Sequence, residues 1–135
     1  MDVKNKRVVV TGAASGIGKA LCEAFHEADA KSIVAVDMNL DGAQETSDSV
    51  NGIAVQANVG IEKDIIDVIQ KADEHAGGTD IFCSNAGIGG VPGFFEVEAS
   101  DWQNIWDVNV QSHIFAAKHV LPQMIERGEG YLVNT

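Results

Sequence analysis

The chain of 135 residues is long enough for one compact domain, and its composition is that of a globular protein, with 45% hydrophobic and 21% charged residues. Nine lysines and arginines against 20 aspartates and glutamates give a net charge of −11, with no basic cluster beyond the first few residues, so neither a nucleic acid nor a membrane is expected as a partner. No apolar run reaches the roughly 20 residues of a membrane helix, and the first residues lack a signal-peptide core, which predicts a cytoplasmic protein.

Short runs rich in valine and isoleucine alternate with amphipathic stretches along the chain. The first run, residues 7–11, predicts a strand. The helix after it is predicted to turn one face inward, formed by Ile17, Leu21, Ala24 and Ala28. A second strand at 32–37 is followed by a weaker helical pattern at 42–50, and a third strand is predicted at 53–58. These strands lack polar alternation, which is typical of strands covered on both faces.

The second half of the chain continues the alternation. A third helix is predicted to bury Ile61, Ile65, Val68, Ile69 and Ala72, with Gly77-Gly78 as its stop signal. A fourth strand at 80–84 precedes a long helix, and residues 131–134 predict the fifth strand. In that helix we expect Ser100 to be the cap and Pro122 to cause a kink or interruption. Its inward stripe is predicted to begin with Trp102, Ile105, Trp106, Asn109 and Val110.

Strands and helices alternating at this spacing predict βαβ units with right-handed crossovers. Parallel strands joined in this way form a sheet with helices on both faces. The sequence therefore predicts a doubly wound α/β fold. Cys22 and Cys83 fall in a predicted helix and strand and are expected to be buried free thiols. The spacing of the histidines gives no metal site.

A glycine-rich segment, Thr11-Gly12-Ala13-Ala14-Ser15-Gly16-Ile17-Gly18, lies between the first strand and the first helix. Gly12 permits a tight turn out of the strand, Gly16 lets a ligand approach the backbone, and Gly18 allows the helix to pack close to the sheet. The helix start supplies free N–H groups for an anion, and Ser15 can add a hydroxyl donor. The segment predicts nucleotide binding that needs no cation.

Asp37 stands at the end of the second predicted strand, 19 residues after Gly18. A carboxylate at this place can accept hydrogen bonds from both hydroxyls of an adenosine ribose, and it repels a 2′-phosphate. Asp37 therefore predicts NAD rather than NADP as the cofactor. The alternative is that Asp37 only caps a helix or a turn.

The motifs together resemble those of the short-chain dehydrogenase/reductase family over residues 6–135. The glycine segment matches the family's TGxxxGxG motif, Asn85-Ala86-Gly87 matches its NAG motif, and Asn109 matches the helix asparagine of its catalytic tetrad. The resemblance implies a Rossmann-type parallel sheet of strand order 3-2-1-4-5. It implies an oxidoreductase that transfers hydride between a nicotinamide and an alcohol or ketone. It also implies a homo-oligomer with the fourth helix at the subunit interface.

The resemblance also implies a cofactor site, and one of its positions departs from the family pattern. The implied cofactor residues are Gly12, Ser15, Gly16, Ile17, Gly18, Asp37, Asn58, Val59, Asn85, Ala86 and Gly87. Many members have Asp-Val where this chain has Asn58-Val59, and their aspartate accepts from the adenine amino group. An asparagine carbonyl can accept the same hydrogen bond without the charge. Asn109 is expected to be buried and to hold a water of the family's proton relay.

The family's catalytic serine and its Tyr-x-x-x-Lys pair have no counterpart in these residues. The one tyrosine, Tyr131, lies in the fifth predicted strand, and the residue four positions later is Thr135. We therefore interpret residues 1–135 as the N-terminal, NAD-binding half of a longer dehydrogenase, inactive alone and prone to self-association. The alternative is a dinucleotide-binding or interaction module that performs no chemistry.

Overall fold

The structure, a computed structural model, describes residues 2–90, 93 and 95–135. Its strands are β1 (Arg7–Thr11), β2 (Ser32–Asp37), β3 (Ile53–Gln56), β4 (Ile81–Ser84) and β5 (Tyr131–Asn134). Its helices are α1 (Gly16–Glu27), α2 (Leu40–Ser49), α3 (Glu62–Ala76), α4 (Ala99–Trp106) and α5 (Ser112–Arg127). A π-helical segment, Asp107–Gln111, joins α4 to α5.

The strands form one parallel sheet in the order β3-β2-β1-β4-β5, as predicted. In the central register Val9 lies opposite Val34 on β2 and opposite Phe82 on β4. The order reverses between β1 and β4, where the connections leave in opposite directions. A crevice for ligands therefore opens at the carboxyl ends of these two strands.

Two apolar layers cover the sheet, one on each face. Strand residues such as Val9, Val36 and Phe82 point to the layer built by α3 and α5. Their neighbours along the strands point to the layer of α1, which contains both cysteines. Burial raises the pKa of the Cys22 and Cys83 thiols to about 12, so both remain protonated and free, as predicted.

The third helix buries Ile65, Val68, Ile69 and Ala72 as predicted and ends at Gly77 in the left-handed conformation. The prediction is wrong for Ile61, which is the N-cap and is 48% exposed. The predicted face of α1 is wrong, because Ile17 is 68% exposed and Ala24 and Ala28 are also exposed. Instead α1 buries Gly18 and Cys22, and Leu21 and Phe25 pack against the same layer. Ile17, Ala24 and Ala28 recur at helical spacing, but the face of the helix that they form is exposed to solvent.

The long fourth helix differs from its prediction in three ways. Glu98, not Ser100, is its N-cap, and Glu98 forms a reciprocal capping box with Asp101. Trp102 and Trp106 do not point inward, since they are 54% and 52% exposed. The helix also continues through Pro122 instead of being interrupted there. None of the described helices has both the length and the apolar character needed to cross a membrane.

Candidate cofactor site

The turn after β1 is held against the segment after β4. Gly12 has a φ of +71°, and a Cβ added there would lie 2.9 Å from the Ala86 Cα. A Cβ on Gly18 would collide with the carbonyl oxygen of Gly12. Only glycine fits either place, so the sequence allows α1 to start directly above the end of β1.

The Thr11 hydroxyl joins the two central strands at this edge. Its Oγ1 donates to the Cys83 carbonyl at 3.2 Å and accepts the backbone N–H groups of Asn85 and Ala86 at 2.9 and 3.1 Å. The Asn85 Nδ2 donates in return to the Thr11 carbonyl at 3.0 Å. These bonds fix the Asn85-Ala86-Gly87 segment, and the role of Thr11 was missed in the sequence analysis.

Asp37 ends β2 beside the glycine segment. Its Oδ2 accepts the Ala14 N–H at 3.0 Å, and its Oδ1 accepts the Asn39 N–H at 2.9 Å. The carboxylate thus ties the glycine segment to the start of α2, whose N-cap is Asn39. Thr46, also missed, donates from its buried hydroxyl to the Ala13 carbonyl at 2.9 Å. Asp37 is therefore placed and oriented by backbone donors on both sides.

The start of α1 offers free backbone donors to the crevice. Ser15 is its N-cap, but the Ser15 side chain makes no capping hydrogen bond and is exposed. The N–H groups of the first helical turn have no partners inside the helix. Together with the helix dipole they form a favourable site for an anion such as a diphosphate.

Two connected depressions run along the carboxyl edge of the sheet. The first is an open groove lined by Gly12, Ser15, Gly16, Ile17, Gly18, Asp37, Asn85, Ala86 and Gly87. The second is a largely apolar recess lined by Gly12, Asp37, Met38, Ala57, Asn58, Val59, Ala86, Gly87, Ile88 and Val108. All eleven residues of the predicted cofactor set lie in one or both. Four lining residues of the recess were missed, although each is adjacent in sequence to a predicted site residue: Met38, Ala57, Ile88 and Val108.

The described side chains that line the two depressions carry no positive charge, so a phosphate bound there would be held by backbone N–H groups. Among the described residues no lysine or arginine lines either depression. A separate depression beside β3 carries one lysine, Lys71, and three carboxylates, Asp64, Asp67 and Glu74, so its lining is negative on balance. Its carboxylates would repel a phosphate, and it lies away from the crevice between β1 and β4. A search of the described residues finds no group of histidine, cysteine and carboxylate side chains that could hold a metal.

Asn109 lies in the π-helical segment and is half-buried, not buried as predicted. Its Nδ2 donates to the Ile88 carbonyl and its Oδ1 accepts the Ile88 N–H, both at 2.8 Å. The amide therefore fastens the loop after β4 to the helix. π-Helical segments occur frequently at functional sites, so this one is consistent with a functional site at the carboxyl edge of the sheet.

The sequence motifs and this geometry agree with comparisons to known proteins. The family model described as short chain dehydrogenase matches residues 6–135. The chain belongs to the short-chain dehydrogenase family. A solved short-chain type dehydrogenase/reductase from Mycobacterium marinum superposes with a TM-score of 0.90 at 26% identity, covering 98% of this chain and 56% of the other.

Two curated relatives of this short-chain dehydrogenase chain are similar over nearly its whole length. Glucose 1-dehydrogenase 2 of Bacillus subtilis is 34% identical over 98% of this chain and 54% of its own length. An uncharacterized oxidoreductase of Staphylococcus aureus strain MRSA252 is 33% identical over 96% of this chain and 57% of its own. The chain thus spans about half the length of the curated relatives it matches.

Tyr131 does not lie at the site of this short-chain dehydrogenase chain. It pairs in register with Ile81, the first residue of β4, and so stands at the amino edge of the sheet. The cofactor groove lies at the opposite, carboxyl edge. Tyr131 is therefore a strand residue, as interpreted from the sequence, but it is exposed and not packed as expected.

Proposed function

We propose that residues 1–135 form the NAD-binding part of an oxidoreductase that transfers hydride between a nicotinamide and an alcohol or ketone. The observation that carries this proposal is the groove between β1 and β4. It joins the free N–H groups of α1 to the Asp37 carboxylate and has no cation among its described lining residues. Such a groove suits a diphosphate and an unphosphorylated ribose.

The residues fit a dinucleotide on several counts. The close approach of Gly12 to Ala86 leaves the groove floor as bare backbone, so an extended ligand can lie against it. The recess beside it has apolar walls from Met38, Val59 and Val108, which suits a planar base. When bound, NAD would supply the hydride acceptor. The chain's own residues would bind and orient it, and in the family Asn109 would hold a water of the proton relay.

We propose no residue of this chain as the catalytic proton acceptor. In the part of the chain that the structure describes, no tyrosine lies at the carboxyl edge of the sheet. The second candidate function is a dinucleotide-binding or interaction module without chemistry. Both candidates predict that residues 1–135 alone do not oxidise alcohols. The gene sequence beyond codon 135 separates them, because a serine soon after Thr135 followed by a Tyr-x-x-x-Lys pair would support the oxidoreductase.

We also propose that α4, the π-helical segment and α5 form a subunit interface. Large apolar side chains are exposed along this helical run, namely Trp102, Trp106, Ile114, Leu121 and Ile125. After allowance for the residue that a π-helical turn inserts, successive members lie four or seven residues apart. This spacing is typical of a single helix face, and a second copy of the chain could bury it.

The cofactor proposal is tested by titrating the chain with NADH and NADPH and following nicotinamide fluorescence. We expect NADPH to bind about tenfold more weakly, because the Asp37 carboxylate would face its 2′-phosphate. Asp37→Asn should reduce this preference to about threefold or less. Asp41→Asn, which removes an exposed charge from the first turn of the nearby helix α2, should leave this preference unchanged. Equal affinity of the unaltered chain for both cofactors would contradict the proposal.

A further inference from the structure

The side-chain carbonyl of Asn58 is already engaged within the protein. Its Oδ1 accepts the Gly60 N–H at 3.0 Å, which closes a tight turn after β3. The backbone around it is also fixed, because the Asn58 N–H donates to Asp64 Oδ2 at 2.8 Å and the Ile61 N–H donates to the Asn58 carbonyl at 2.9 Å. The amide orientation follows from the Gly60 N–H, which can meet only an acceptor.

Two hydrogen-bond donors remain without partners at this turn. The Asn58 Nδ2 has no acceptor among the described residues, and neither does the Val59 backbone N–H. The backbone N–H groups on either side of Val59 are all satisfied. Both Asn58 and Val59 line the apolar recess between β1 and β3. The turn therefore brings two unpaired donors to residues that line the recess, while the Asn58 Oδ1 is engaged by the Gly60 N–H.

This pattern matters for the base because purines differ at their six-position. Adenine carries an amino group there, which donates hydrogen bonds, and an acceptor at the neighbouring ring nitrogen. A 6-oxo purine such as hypoxanthine carries a carbonyl at the same position, which accepts. A carboxylate at residue 58 would keep a second oxygen free for an amino group and would repel a carbonyl. The Asn58 amide has no second oxygen to offer an amino group, and its Nδ2 does not repel a carbonyl.

From this we propose that Asn58 is a specificity-determining residue that removes the preference of the base recess for adenine. The proposal rests on the proposed function, namely that the recess takes the base of a dinucleotide. The recess accepts 6-amino and 6-oxo purine dinucleotides with similar affinity. The Asn58 Nδ2 donates to the six-position carbonyl of the second class, and the Val59 N–H serves a ring acceptor of the first.

The test compares NADH with reduced nicotinamide hypoxanthine dinucleotide by fluorescence titration of the chain. The second dinucleotide has a carbonyl in place of the six-amino group and a proton on the neighbouring ring nitrogen. We expect their Kd values to agree within about threefold. In Asn58→Asp, which preserves the turn, NADH should be favoured by about tenfold, the size of one matched hydrogen bond in base discrimination. Circular dichroism and the Tm of the variant verify that it folds.

Asn39→Asp is the matched control. It makes the same amide-to-carboxylate change at the N-cap of α2 and keeps an oxygen for the Gly42 N–H. It should shift both Kd values together and leave their ratio unchanged. An unaltered chain that already favours NADH by tenfold, or a ratio unmoved in Asn58→Asp, would overturn the inference but not the proposed function. Absence of binding by either dinucleotide at millimolar concentration would overturn both.

Discussion

The hydroxyl group of Thr11 fixes the backbone segment that forms the floor of the candidate site. Thr11 is 2% exposed, and its Oγ1 bonds one backbone group within β4 and two in the segment that follows it. The sequence marks Thr11 as the start of a motif, but a threonine at the end of a strand is also an ordinary strand residue. Only the neighbouring strand reveals which groups its hydroxyl serves.

We predict that Thr11→Val lowers the free energy of unfolding by about 3 kcal/mol, since two backbone N–H groups would lose their buried acceptor. It should also weaken NADH binding, because Asn85 and Ala86 line the groove. Denaturant unfolding and NADH titration measure the two effects. Thr11→Ser keeps the hydroxyl and should retain most of both. A fully stable Thr11→Val would show that the hydroxyl does not brace the strands.

Asn58 illustrates a second limit of sequence reasoning at the scale of single residues. From the sequence, its carbonyl was expected to accept from adenine. In the structure the same oxygen accepts the Gly60 N–H. A side-chain amide has a donor group at one end and an acceptor at the other. Its role in binding can be inferred only when the partner of one end is known. That partner is set by the turn geometry, which the residue types alone do not determine.

At the scale of elements, the helical run of α4 and α5 separates two roles of apolar residues. Val108, Ala116, Val120 and Met124 are buried against the sheet. Trp102, Trp106 and Ile114 lie on a different face and remain exposed. Apolar residues on both faces make the hydrophobic period ambiguous, which explains why the tryptophans were predicted to point inward.

This exposed face leads to a prediction about assembly. We expect the chain to self-associate at micromolar concentration, and Trp102→Glu with Trp106→Glu to shift it toward monomer by burying two charges in the interface. Sedimentation velocity measures the change. Ile66→Glu is the control, because Ile66 is an exposed apolar residue of α3, outside this face. An unaltered chain that stays monomeric at high concentration would contradict the proposed interface.

At the scale of the whole molecule, the amino edge of the sheet carries the ionic links that join its parts. The Asp80 carboxylate accepts from the backbone N–H and the Nε of Arg7 at 2.9 and 2.8 Å. Arg127 at the end of α5 donates to the Thr79 carbonyl and lies 3.6 Å from Asp80. These contacts connect β1, β4 and α5 at the edge opposite the candidate site.

The Arg7 guanidinium lowers the pKa of Asp80 from 3.8 to about 2. A carboxyl whose pKa is lower in the folded state stabilises the fold above its unfolded pKa and loses that contribution as the pH falls toward the folded value. We therefore predict that about 2 kcal/mol of stability is lost between about pH 4 and pH 2. Urea unfolding across this range measures it.

The Asp80→Asn variant is the control for the urea unfolding measurement. Near neutral pH it should be less stable than the unaltered chain, because Arg7 loses its charged partner. The difference between the two proteins should shrink as the pH falls toward 2. A difference that stays constant from pH 7 to pH 2 would show that Asp80 contributes no ionic stabilisation.

The sequence by itself determined the alternation of strands and helices, the strand order implied by its motifs, and which residues meet at the carboxyl edge. The alternation follows from local periodicity, whereas the strand order is what the resemblance of the motifs to the family implies. Only the tertiary structure decided which face of α1 and of α5 is buried and which backbone groups the Thr11 and Thr46 hydroxyls bond. It also decided which atom of Asn58 remains free. Burial and hydrogen bonding depend on partners distant in the chain, and no local pattern contains them.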